Sequence, residues 1–143
     1  MNTNKKRKGI LKEVKINVKM KLAGLWISAM FCWIYGDLLR IYSGDYLVGG
    51  DIRGDLIAPE KLWLVSAITM IVPGAMVFLS LALKAKTNRT VNIVLGIFYT
   101  CYSLTAFFGG GYPSAYDNFL LLVGILFTAL VVWYAWRWPK QEN

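Results

Sequence analysis

Four apolar runs, separated by short polar stretches, constrain this chain more than any other feature. They fall at about residues 22–42, 62–83, 91–108 and 119–136. Each is close to the ~20 residues that an α-helix needs to cross ~30 Å of hydrocarbon. Composition agrees with a bilayer setting. Of the 143 residues, 57% are hydrophobic and 17% are charged, against about a quarter charged in a soluble domain. The expected fold is all-α: a four-transmembrane-helix antiparallel bundle over residues 22–140, preceded by a basic tail at 1–21.

The net charge of +8 belongs to that tail, since residues 1–21 hold eight Lys or Arg and one Glu while the rest is nearly neutral. Beside a membrane span, such a tail points to orientation and anionic lipid headgroups. Nucleic acid is not an expected partner, because no recognition fold can be built from what remains. Read as a helix, the segment 10–21 and its flank place Lys8, Lys12, Lys15 and Lys19 on one face. Ile10, Leu11, Val14 and Val18 lie on another. This is the pattern of an amphipathic helix lying on the inner membrane surface.

Orientation follows from the Lys and Arg residues beside the spans. With the N-terminus inside, thirteen lie on the inner side and three on the outer. Both termini are therefore expected in the cytoplasm, with the protein multi-pass in the cell (inner or plasma) membrane. Trp133, Trp136 and Trp138 then mark the inner interface and Trp63 the outer one. The glycosylation-like Asn88-Arg89-Thr90 falls on the wrong side for that modification. The first run is read as an uncleaved span, because it continues through Asp37 to about Tyr42 and no A-x-A site follows it.

Helices in lipid associate by close backbone approach, so small residues four apart mark contact faces. The first span offers Gly24, Ser28, Cys32 and Gly36. The third offers Gly96, Thr100 and Ser103, and the fourth Gly124 and Thr128. These faces build either a monomeric bundle or the seam of a homodimer or of a complex with another membrane protein. Pro73-Gly74, near the middle of the second span, predicts a kink.

Little in the chain suggests catalysis. There is no His, which removes the commonest general base and metal ligand. Cys32 and Cys101 do not form a CxxC. The loop acids Asp45, Asp51, Asp55 and Glu60 lack the alternate spacing of a calcium loop. Gly109-Gly110-Gly111 precedes no Lys-Ser or Lys-Thr and reads as a connector. The expectation is a non-enzyme with no metal and no cofactor.

Asp37 and Arg40 are the charges embedded in a span. Three residues apart, they share a helix face and can pair. An ionisable group in a span is a functional hypothesis by default. Asp37 lies about 24 Å along the helix from Lys21, at 1.5 Å per residue, which places it near the outer edge of the core. One reading is a structural pair that fixes helix tilt. The other is an outward-facing polar pocket, with Ser66, Tyr102 and Thr105 reaching the same depth from the other spans and Lys61, Tyr112 and Asp117 at the loop ends.

Several stretches resemble an uncharacterised bacterial family of four-helix integral membrane proteins, catalogued as a domain of unknown function. They are Leu25-Trp26, Met30-Phe31, Ile34-Tyr35 and Asp37 in the first span, Pro59-Glu60, and Pro73, Met76 and Leu79-Ser80 in the second. Arg89 and Asn92-Ile93 follow, and the closing Trp133-Tyr134-Ala135-Trp136 with Trp138-Pro139 is the most specific part. The similarity covers about residues 21–140. It implies a four-span bundle and a family place for Asp37, and carries no activity, substrate or cofactor.

Two functional expectations follow. The first is a membrane protein that binds a small molecule or lipid, or serves as an accessory subunit. The second is a small transporter using Asp37 as coupling carboxylate, which the position of the acid near one edge and the strong charge bias both disfavour. The topology is testable: a C-terminal alkaline phosphatase fusion should be inactive and a C-terminal green fluorescent protein fusion fluorescent, and the reverse result would invert the bundle.

Overall fold

The computed structural model describes residues 16–43, 60–110 and 112–139, with backbone alone at 60, 62 and 63. Lys8, Lys12 and Lys15, the acidic loop at 44–59 and the Trp63 side chain lie outside the described residues. Among the described residues four helices form: α1 (Val18–Ser43), α2 (Glu60–Ala82), α3 (Ala85–Phe108) and α4 (Ala115–Trp136). Each is long and apolar enough to cross a membrane, and the described residues contain no strand. This is the architecture of a multi-pass membrane protein.

Local chemistry moves the helix starts outward from the apolar runs. Asn17 caps α1: its Oδ1 accepts the Lys19 N–H at 3.1 Å and its carbonyl accepts the Lys21 N–H at 3.2 Å. Asn is a favoured cap because its short side chain reaches backbone donors of the first turn. Lys19 and Lys21, read from sequence as the end of a surface helix, therefore form the first turn of α1. Lys19 is half-buried. Its Nζ donates to the carbonyls of Leu81 at 3.2 Å and Leu83 at 2.6 Å. A cation there satisfies carbonyls left open where α2 ends and complements the helix dipole.

α2 and α3 are joined by Leu83 and Lys84 alone, and α3 starts at Ala85, before the apolar run. That early start places Asn88 inside the helix. α2 runs unbroken through Pro73, whose ring is buried. Beside it, Gly74 admits the first helix: a Cβ there would stand 3.5 Å from Met30 Cε.

The helices alternate in direction. α1 packs against α2 and α4, α4 packs against α3, and α2 and α3 meet only sparsely. The start of α1, the end of α2, the start of α3 and the end of α4 share one end, called here the Lys19 end. The opposite end holds Asp37, Arg40 and Asp117.

Many large apolar side chains face outward, while the interior takes small and polar residues together with a few large ones such as Leu22, Trp26 and Met76. α1 buries Leu22, Ala23, Trp26, Ala29, Cys32 and Gly36, while Ile27, Phe31, Ile34 and Leu38 are exposed. Lipid is as apolar as leucine, so helix contact depends on close packing and on polar bonds. The small-residue face expected on α1 divides in two. Cys32 and Gly36 are buried, but a Cβ on Gly24 would meet nothing within 4 Å, and Ser28 bonds only to its own helix at the Gly24 carbonyl. Residues four apart overshoot a 3.6-residue turn by about 40°, so a long stripe of this spacing wanders off the contact face. Gly96 and Gly124 do make close approaches. A Cβ on Gly96 would lie 2.7 Å from Val132 Cγ2, and one on Gly124 would lie 2.9 Å from Trp33 Nε1.

The Lys19 end is sealed by a polar knot in which Trp26, Ser80, Asn88 and Asn92 are all fully buried. Asn92 Oδ1 accepts from Trp26 Nε1 at 2.8 Å and from Ser80 Oγ at 3.3 Å. Asn92 Nδ2 donates to the Asn88 carbonyl at 2.9 Å and to Asn88 Oδ1 at 2.6 Å. Asn88 Nδ2 donates to the Ser80 carbonyl. One side chain of α3 thus joins α1 and α2. Farther along, Thr100 Oγ1 donates to Thr128 Oγ1 at 2.9 Å, and Tyr99 Oη donates to the Thr69 carbonyl.

Replacing Asn92 with Leu strands the Trp26 N–H, the Ser80 hydroxyl and the Asn88 carboxamide oxygen in a dry interior. The expected loss is about 1–3 kcal/mol, read as a lowered midpoint of denaturant-induced unfolding in mixed micelles. A midpoint unchanged from wild type would remove the knot from any account of bundle stability.

Candidate functional site

At the Arg40 end, residues of all four helices line a partly open cavity of about 110 Å³. Its polar wall is built around one ion pair. Arg40 Nε donates to Asp117 Oδ2 at 3.0 Å, and the Asp117 side chain is 3% exposed. Asp117 sits in the first turn of α4, after Ser114 at the helix start. A carboxylate is favoured there by the unpaired N–H groups and positive dipole end of the helix. Gly36 makes room for it: a Cβ on Gly36 would come within 3.1 Å of Asp117 Oδ1.

Asp37, the residue most suggestive in the sequence, is the looser partner. Its Oδ1 lies 3.6 Å from Arg40 Nη1, and its side chain is 60% exposed. A charge-assisted N–H···O bond is usually about 2.7–2.9 Å long, so this contact is an ion pair without a tight hydrogen bond. Arg40 is thus held chiefly by Asp117 across the bundle rather than by its neighbour on α1.

Tyr112 covers the guanidinium from the other side, with Arg40 Cζ 4.1 Å from the ring centre. Asn118 fixes the turn that presents this ring. Its Oδ1 accepts the Tyr112 N–H at 3.0 Å, and its Nδ2 donates to the carbonyls of Tyr112 at 2.6 Å and Ser114 at 3.1 Å. Ser43 Oγ and Tyr116 Oη, 2.8 Å apart, add a second tie between α1 and α4.

Of the residues expected around this pocket, Asp37, Arg40, Tyr102, Tyr112 and Asp117 line it. Ser66 and Lys61 are exposed and are not part of its wall, and Thr105 turns its hydroxyl back to the Tyr102 carbonyl at 2.7 Å. The cavity also reaches deeper than the charged residues imply, to Cys32, Trp33, Thr69, Tyr99 and Ser103. These positions lie in apolar runs with nothing to single them out except small or aromatic character at helical spacing. Ser103 is 2% exposed. Among the described residues no three metal-ligating side chains converge.

The chain belongs to DUF6326, a family of unknown function, whose model matches residues 10–143. The match reaches farther toward the N-terminus than the similarity read from the sequence and takes in Lys12 and Lys15 ahead of α1. No curated protein and no solved structure matches the chain.

The geometry ranks the two acids. Asp117→Asn leaves Arg40 facing a neutral partner in a mostly buried position and is expected to cost about 3 kcal/mol of stability. Asp37→Asn removes an exposed contact and is expected to cost less than about 1 kcal/mol. Thermal unfolding of both variants in one detergent decides the point; equal losses would contradict this ranking.

Proposed function

We propose that this chain is a non-catalytic binding protein of the cell membrane, whose cavity at the Arg40 end takes a small amphipathic molecule or lipid headgroup from the outer side. The observation that carries the reading is the combination of a cavity walled by all four helices with an ion pair at its polar wall. Apolar and aromatic walls with a few convergent polar groups are the usual composition of small-molecule sites.

The distribution of charge supports the proposed orientation. Among the described residues the Lys19 end carries Lys19, Lys21, Lys84, Lys86, Arg89 and Arg137 and no acid, whereas the acids lie at the opposite end. Basic residues favour the cytoplasmic side and its anionic headgroups. The Lys19 end would then be the inner one, with the basic tail on anionic lipid. A transport role driven by Asp37 is less well supported. The acid is largely exposed, and the Lys19 end is closed by the buried Trp26 and Asn92.

Cys32 reports on the cavity, and Cys101 faces outward. In a Cys101→Ser background, methyl methanethiosulfonate should modify Cys32 in lipid nanodiscs. Ser103→Phe, which fills the cavity, should slow the reaction at least about tenfold while thermal stability stays close to wild type. Absence of reaction in the unfilled protein, or equal rates in both, would end the binding-site reading.

A further inference from the structure

The charged groups of the cavity are not balanced. Arg40 is committed on two sides: Asp117 takes its Nε–H at 3.0 Å, and the Tyr112 ring covers its face at 4.1 Å. Asp117 in turn is buried and bonded to Arg40. Asp37 is left as a carboxylate lining the cavity, with only a 3.6 Å contact to Arg40 Nη1. The three charged side chains of the wall therefore carry one net negative charge.

Deeper in, the wall changes character. Trp33, Tyr99 and Tyr102 contribute aromatic surface, and Ser103, 2% exposed, adds one hydroxyl to the lining. Aromatic faces attract cations through their quadrupole, more strongly where water is excluded. An anion would meet the unbalanced carboxylate, and a purely apolar ligand would leave Asp37 unmatched. A cavity of about 110 Å³ has room for the equivalent of a few waters at ~30 Å³ each, the scale of a small alkylammonium group.

We propose that the ligand of this cavity is an organic monocation, a small alkylammonium head seated between the Asp37 carboxylate and the aromatic wall of Trp33, Tyr99 and Tyr102. The proposal rests on the reading of the cavity as a ligand site and specifies its chemistry. The ammonium group comes either from a free amine or from the headgroup of a lipid. Ser103 accepts or donates the hydrogen bond of a polar substituent beside the charge.

The test compares choline with its uncharged isostere 3,3-dimethylbutan-1-ol as protectants of Cys32 against methyl methanethiosulfonate. It uses the full chain carrying Cys101→Ser, in nanodiscs of phosphatidylglycerol. Choline is expected to protect at concentrations about tenfold or more below those needed for the isostere, a ratio of the size that a desolvated cation–π contact gives. Asp37→Asn should reduce that preference, leaving the part due to the aromatic wall, while Cys32 remains reactive. Tryptophan emission, followed in the same titrations, reads binding without the thiol. Equal protection by the two compounds, or none by either while Cys32 still reacts, overturns the cationic ligand and leaves the cavity standing as a site. In discs containing phosphatidylcholine, a weakened apparent affinity for choline identifies the headgroup as a source. An unchanged affinity identifies the free amine. Both results support the ammonium chemistry.

Discussion

Asn92 forms bonds that no other part of the bundle can replace. In water, helices are driven together by burying apolar faces, but that force vanishes when the surrounding medium is itself hydrocarbon. What remains is tight packing and the cost of leaving a polar group without a partner. Asn92 gathers Trp26 of α1, Ser80 of α2 and Asn88 of its own helix into one buried set of bonds. The relative rotation of three helices follows from it, because a carboxamide has few directions in which it can bond. With those rotations set, Tyr99 reaches the Thr69 carbonyl and Thr100 reaches Thr128.

The two ends of the bundle then differ in kind. At the Lys19 end the interior is closed by side chains of high volume and complete burial, and Lys19 fastens the start of α1 to the end of α2. At the Arg40 end the bundle closes through charge. Arg40 and Asp117 hold α1 to α4, yet they do so around a space rather than within a packed core. The sparse meeting of α2 with α3 is part of the same geometry: the helices joined by the shortest turn touch less than the other neighbouring pairs. The cavity lies toward the end away from that turn.

The class of fold is legible in the sequence because span length and apolar content are strong signals, and they do not depend on which residues touch. Helix starts are less so, since Asn17 and the tight turn at Leu83 and Lys84 act through single hydrogen bonds that hydropathy does not see. Asn88 reads as part of a modification sequence, although Asn88 and Asn92, four apart at the edge of an apolar run, have the spacing of a shared helix face. At the site, the i, i+3 relation of Asp37 and Arg40 is visible, but the stronger partner comes from α4, in a residue that looks like an ordinary loop-end acid. Sequence proximity makes a local pair easy to see, while Asp117 is brought to Arg40 only by the packing that Gly36 allows. Ser103 stands on the small-residue face expected of the third span, and its exposure to the cavity has no sequence signal of its own.

The knot around Asn92 also bears on how the chain enters the bilayer. α1 and α3 are less hydropathic than α2 and α4. In α3 the deficit comes partly from two carboxamides whose partners reside on helices made earlier. Alone in hydrocarbon, α3 would carry Asn88 and Asn92 without Trp26 or Ser80 to receive them. The preceding pair of helices therefore supplies a polar template, and the third span gains its place in lipid as it docks rather than before. For the asparagines, chain order and bonding order coincide: Trp26 and Ser80 precede Asn88 and Asn92 in the chain.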